Sequence, residues 1–212
     1  MGGRLDVTNV VDHPVACIIT PVDLDHQQFL GDTQAKIAFE KAGILKRGVT
    51  AIVGPQQDEA LEVIERQAAK IGSPLLVHGQ HWHVSVEAER LIYQDETGLL
   101  DLPLPNLPGP HQVQNAGAAI ATLRRLGMGE IACTAAVSQA HWPARMQRLR
   151  SGPLVENLSS NEIWLDGGHN PAAGRAIAAT LANLARRETH IICGMINTKD
   201  VQGFLAPIAE HC

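Results

Sequence analysis

Asp25 and His26 stand in the polar run "PVDLDHQQFLGD" and offer a carboxylate and an imidazole side by side. Lys41 follows in "GDTQAKIAFEKAGILKRG". On a helical wheel it falls one turn after Ile37 and Ala38, on the side a globular protein normally buries, while Lys36 and Glu40 share another face. Two readings of Lys41 stay open. Its stem lies along the core while its ammonium reaches water, or it is a desolvated amine with a lowered pKa. A neutral amine adds carbon dioxide to form a carbamate, chemically a carboxylate, which suits a hard cation such as Mg²⁺ among oxygen ligands. A second polar cluster, Asp166, His169 and Asn170, lies in "LDGGHNP", and Arg145, Arg148 and Arg150 form a basic cluster suited to a bound anion. Each of these residues also has a plain structural use, as a turn cap, a solvated loop histidine or a solvated arginine. "HGQHWH" brings His78, His81 and His83 close together, with no cysteine or further histidine cluster to complete a four-ligand zinc set.

The elements that must position these groups follow from periodicity. "VACIIT" (15–20), "VTAIVG" (49–54) and "PLLVHG" (74–79) are short apolar runs expected to be buried strands. Between them lie two helices, one opened by Asp32 or Thr33 and ended near Gly43, the other over 57–71. This β-α-β-α-β order implies a largely parallel sheet with helical crossovers, whose ligands gather beyond the strands' carboxyl ends. Residues 80–105 alternate polar and apolar and are expected to form small antiparallel strands. Proline-rich "LPLPNLPGP" leads into a helix, "QVQNAGAAIATLRRLG", and another helix is expected over 129–139. A boundary near 140–150 is followed by a restarted βαβ pattern: strand "EIWLD" (162–166), a helix from Pro171 to about Arg187 capped by Asn170, and strand "THIICGM" (189–195). The expected domains are 1–140 and 141–212, the second with too few strands for a stable doubly wound sheet and so cut short.

Composition narrows the classes. The chain has 212 residues, 45% of them hydrophobic but only 3% aromatic, so its core must be built from Ala, Val, Ile and Leu. A net charge of −5 without a basic stripe argues against nucleic acid as a partner. No apolar run reaches the length of a membrane span. Cys17, Cys133, Cys193 and Cys212 have neither disulfide nor metal spacing, and Cys17 and Cys193 lie in apolar runs where a thiol is expected to be buried. A reducing, cytoplasmic compartment is the expectation. No internal repeat is present.

Six segments in order carry a resemblance: "GGRLDVTNVV" (2–11), "LDHQQFLGDT" (24–33), "IAFEKAGILKRG" (37–48), "LPGPHQVQNAGAAIATL" (107–123), "HWPARMQRL" (141–149) and "LDGGHNPAAG" (165–174). Together they resemble the folylpolyglutamate synthase and dihydrofolate synthase family of the Mur ligase superfamily. The resemblance implies an α/β chain with a partial Mur-ligase-like central ATPase domain and an incomplete Rossmann-like C-terminal domain. It implies an ATP- and Mg²⁺-dependent ligase that phosphorylates a dihydropteroate or folate carboxylate and joins it to L-glutamate, in a cytoplasmic monomer. By the same resemblance His26 matches a magnesium ligand and Lys41 the carbamylated lysine. Asn115, Arg145 and Asp166 match ATP contacts, Leu5, Asp6 and Val7 match the dihydropteroate-contacting segment, and His169 is a further candidate near the phosphates.

Departures from the family pattern are Gly168 in place of alanine, Ala144 in place of glycine, and "INTKD", which keeps only Lys199 and Asp200 of the family's segment. No glycine-rich "GTNGKGS"-type phosphate loop occurs. The chain is therefore expected to be a piece of a longer ligase, truncated at both ends and inactive alone. The alternatives are a noncatalytic nucleotide-binding or regulatory remnant, and a related peptidoglycan amino-acid ligase.

Overall fold

The computed structural model describes residues 3–25, 27–158, 161–184 and 187–212. His26 lies outside the described residues. The described chain divides into two compact units. One runs from the N-terminus to Leu104 and resumes at Val113–Ser138, and the other takes Pro105–Gln112 and Gln139–Cys212.

The first unit is built on a parallel sheet of β1 (Cys17–Ile19), β2 (Ala51–Val53) and β3 (Leu75–Val77), in that order, with β1 paired to β2 and β2 to β3. The β2 strand shows why this sheet is covered on both faces. Ala51 and Val53 point into one cluster with Ile37, Ala38, Ala60 and Ile64, from α2 (Gln34–Ala42) and α3 (Asp58–Ile71). Ile52 points the other way, into a cluster with Trp82, Leu91, Tyr93, Leu102, Ile120 and Cys133. That second cluster comes from the antiparallel sheet β4 (Trp82–Glu87), β5 (Arg90–Asp95) and β6 (Gly98–Pro103) and from α4 (Pro110–Arg125) and α5 (Glu130–Ser138). Period-two alternation in one strand thus joins two cores. The short helix α1 (Gln27–Leu30) precedes α2. The β1 strand is a sheet edge with Ile18 exposed, so the expectation of burial on both its faces fails there.

The second unit pairs β7 (Gln147–Leu149) antiparallel with β8 (Ile163–Leu165), separated by the one-turn α6 (Pro153–Glu156). Helices α7 (Pro171–Ala182) and α8 (Val201–Ala209) follow and pack on each other. At Gly174 a Cβ would collide with the backbone carbonyl of Phe204, so the absence of a side chain sets this helix contact. Here the structure corrects several expectations. The partner of "EIWLD" is antiparallel, and it comes from within "HWPARMQRL". Residues 189–195 form no strand, and among the described residues no strand pairs with them. Ile192 is fully exposed, and Cys193 is exposed rather than buried. The α7 helix ends at Ala182 with Asn183 as its cap, short of Arg187. Among the described residues no helix is long and apolar enough to cross a membrane.

Candidate functional site

Within the first unit, the N-terminal "GGRLD" segment is held against the end of α2. Arg4 N–H donates to Glu40 O at 2.8 Å, and Asn9 Nδ2 donates to Arg4 O at 2.9 Å and to Gly43 O at 3.4 Å. The glycines make this approach possible. A Cβ on Gly3, at φ +92°, would overlap Glu40 O, and one on Gly43 would overlap Arg4. Two motifs far apart in sequence, "GGRLD" and "EKAGI", therefore form one backbone-to-backbone contact. Asp6 caps a 3₁₀ turn at Val7–Val10, accepting from Thr8 N at 2.9 Å. Leu5 and Val7 are 84% and 85% exposed, which leaves two apolar side chains facing solvent beside Lys41's helix.

Lys41 occupies the last turn of α2, next to buried Ile37, Ala38 and Ala42. It is half-buried, and its side chain makes no hydrogen bond or ion pair among the described residues. The helix is positioned by Thr33, which accepts from Lys36 N at 3.3 Å, while Asp32 pairs with Lys36 Nζ at 2.7 Å. Of the two caps the sequence allowed, Thr33 serves. The loop beyond β1 that carries Asp25 is fixed by a residue sequence reading missed. Gln56 accepts from Val22 N at 3.0 Å and donates to Thr20 O at 3.0 Å. Its signal was only its place, just past the carboxyl end of β2. Among the described residues no group of three or more His, Cys, Asp or Glu is placed to hold a metal.

In the second unit Arg145, Asp166 and His169 come together. The Asp166 carboxylate ties two loops: Oδ2 accepts from Met146 N at 2.8 Å and Oδ1 from Gly168 N at 2.7 Å. Gly167 N donates to Ala144 O at 3.0 Å, closing the same junction. Ala144 and Met146, at φ +54° and +43°, flank Arg145 in the left-handed region, a strained backbone held by these bonds. Met146 is buried, so the loop is anchored by its side chain while Arg145 is thrust outward. The guanidinium gives one N–H to Ala144 O at 3.2 Å, and its other donors are uncommitted among the described residues, so it fits an anion. His169 Nδ1 lies 3.0 Å from Gly167 O; a carbonyl only accepts, so Nδ1 carries the proton. Asn170 accepts from Ala173 N at 2.8 Å and opens α7 ahead of Pro171, as its sequence position implies.

His111 is a second residue that sequence reading did not single out. Burial holds its imidazole below the usual histidine range, against Asp166, which favours the charged form, and with Arg145, which opposes it. Its Nδ1 is buried and has no hydrogen-bond partner among the described residues. Asn115 lies on the exposed side of α4, in the first unit's share of that helix.

The fold is α/β with parallel and antiparallel sheets, and its second unit presents an exposed arginine on a loop held by Asp166. No family model matches the chain. It is 35% identical over 210 residues to the dihydrofolate synthase/folylpolyglutamate synthase of Escherichia coli, covering 97% of this chain and 46% of that protein. It is 32% identical over 212 residues to the folylpolyglutamate synthase of Lacticaseibacillus casei, covering 94% and 47%. The structure of E. coli FolC in complex with DHPP and ADP superposes with a TM-score of 0.84 at 32% identity, covering all of this chain and 48% of that one. The chain belongs to the folylpolyglutamate synthase/dihydrofolate synthase family. It spans about half the length of the curated relatives it matches.

Proposed function

We propose that this chain is part of an ATP-dependent carboxylate–amine ligase of folate chemistry. A dihydropteroate or folate carboxylate takes the γ-phosphoryl group of ATP, giving an acyl phosphate and ADP. The amine of L-glutamate then attacks the acyl carbon, phosphate leaves, and an amide remains. The observation that carries the reading is the Arg145 loop, strained at both flanking residues and tied down through Asp166. Strain held by several bonds around one outward-facing guanidinium is what a preorganised anion contact requires. In this reading Arg145 contacts the nucleotide phosphates, and Asp166 holds its loop while its remaining lone pairs face the nucleotide. Asn115 offers an amide donor and acceptor to adenine.

Leu5, Asp6 and Val7 supply the pterin-bearing substrate's contact, supported by two exposed apolar side chains on a capped turn. Lys41 is the carbamate and, with His26, the holder of Mg²⁺, whose chemistry is to neutralise phosphate charge. Its half-buried amine, without a partner among the described residues, supports that role. The domain division at about residue 140, the cytoplasmic location and the monomeric state belong to the same proposal. The test is incubation with ATP, dihydropteroate and L-glutamate, in the full-length product of the gene, followed by mass analysis for a glutamylated product. Product that depends on all three and is lost in Arg145→Ala supports the reading. Phosphate release without glutamate incorporation refutes it.

A further inference from the structure

The histidines of "HGQHWH" are untouched by this function. The tight turn from β3 to β4 places two of them side by side. Gly79, at φ +82°, donates its N–H to Trp82 O at 2.9 Å, and His81 N donates to Val77 O at 2.8 Å. His78 and Trp82 form an isolated parallel bridge, which holds residue 78 beside the start of β4. The ring of His78 is half-buried and packs edge-on against Trp82, with centroids 4.8 Å apart at 74°. His83 stands exposed on β4, its ring centroid 6.3 Å from that of His78. Neither ring makes a hydrogen bond among the described residues.

His81 is different. Its Nδ1 accepts from Val77 N at 3.1 Å, which puts the proton on Nε2 and removes both nitrogens from easy ligation.

We propose that His78 and His83 together bind a borderline transition-metal ion of the Zn²⁺, Ni²⁺ or Cu²⁺ class, with water in the remaining positions. A metal–nitrogen bond of ~2.1 Å plus ~1.2 Å from nitrogen to ring centre lets two imidazoles on one ion lie up to ~6.6 Å apart. The observed 6.3 Å is within that reach. At that separation the two rings subtend roughly 145° at the ion, and a tetrahedral angle requires the exposed His83 side chain to rotate until the centroids are roughly 5.4 Å apart. His83 is exposed, so water reaches its ring and can fill the remaining positions on the ion. Imidazole is a preferred donor for these ions, whereas hard Mg²⁺ demands oxygen ligands, so the site is chemically distinct from a nucleotide-bound cation.

The test uses the whole chain and Ni²⁺ alone, titrated by calorimetry, with Cu²⁺ line broadening in an amide spectrum to locate the ion. Expected are broadening centred on residues 78–83 and a loss of affinity of about tenfold or more in His78→Ala and in His83→Gln. His81→Ala should change affinity by less than about twofold, since that ring is already committed. Because His78 packs on Trp82, the exposed His83→Gln variant decides the matter if His78→Ala fails to fold. Unchanged affinity in His83→Gln, broadening centred elsewhere, or an equal loss in His81→Ala overturns the site.

Discussion

Removing the Asp166 carboxylate should release the Arg145 loop without unfolding the first unit. In Asp166→Ala, the amides of Met146 and Gly168 lose acceptors now at 2.8 and 2.7 Å. Hydrogen bonds to a charged acceptor contribute about 1.5–3 kcal/mol each, so the pair amounts to roughly 3–6 kcal/mol in full burial. Asp166 is only half-buried, and water replaces part of that, which brings the expected cost to about 2–3 kcal/mol. The strain at Ala144 and Met146, about 1–2 kcal/mol per residue, then has little to oppose it, and the loop should relax toward right-handed or extended backbone. Asp166→Asn should be intermediate, because its amide keeps one acceptor but turns an N–H toward the other donor. Hydrogen exchange followed amide by amide is the assay. Protection at 146, 167 and 168 should fall by one to two orders of magnitude, while Ile52 and Val53 in β2 stay protected. Unchanged exchange at 146 and 168 would refute the stapling role, and equal losses in β2 would show that the effect is general unfolding.

Three further outcomes follow from the same geometry. Ala144→Gly should raise the unfolding free energy read from urea titration by up to ~1 kcal/mol, because glycine accepts φ +54° freely, whereas Ala144→Val should lower it. Gly174→Ala should lower the thermal midpoint by the equivalent of about 1–3 kcal/mol, because the new Cβ meets the Phe204 carbonyl; an unchanged midpoint would mean α7 and α8 separate easily. Burial holds His78 and His111 below the ordinary histidine pKa, so the unfolded chain binds protons first as pH falls. Stability should be full above about pH 6.5 and decline below it, and His111→Gln should flatten part of that slope in urea unfolding at pH 7.5 and 5.5.

Much of the first unit was legible because its signals are local. Apolar runs at 51–53 and 75–77, the stripe of α3 and the alternation of β4 to β6 each follow from period and burial. The cap pair Asn170–Pro171 likewise marked the start of α7 to the residue. What the sequence concealed depends on partners distant in the chain. "THIICGM" has the composition of a strand, but a strand exists only where another offers its ladder, and among the described residues none pairs with it. β7 was hidden in a polar segment whose pairing with β8 no periodicity announces. At the site, the arginine and aspartate were visible as types, whereas Asp166's bonds to two backbone amides were not. Gln56 and His111 escaped notice because an amide bridging two loops and a half-buried imidazole leave no local pattern.

Arg145, on the loop that Asp166 holds, serves a nucleotide phosphate. Amide and side-chain resonances of the chain, followed as ADP is added, test this most directly. Saturable shifts are expected at Arg145, Asp166 and His169, with those at Asp166 and His169 lost in Arg145→Ala. Saturable binding that leaves these three unmoved, or that survives Arg145→Ala unchanged, would contradict it.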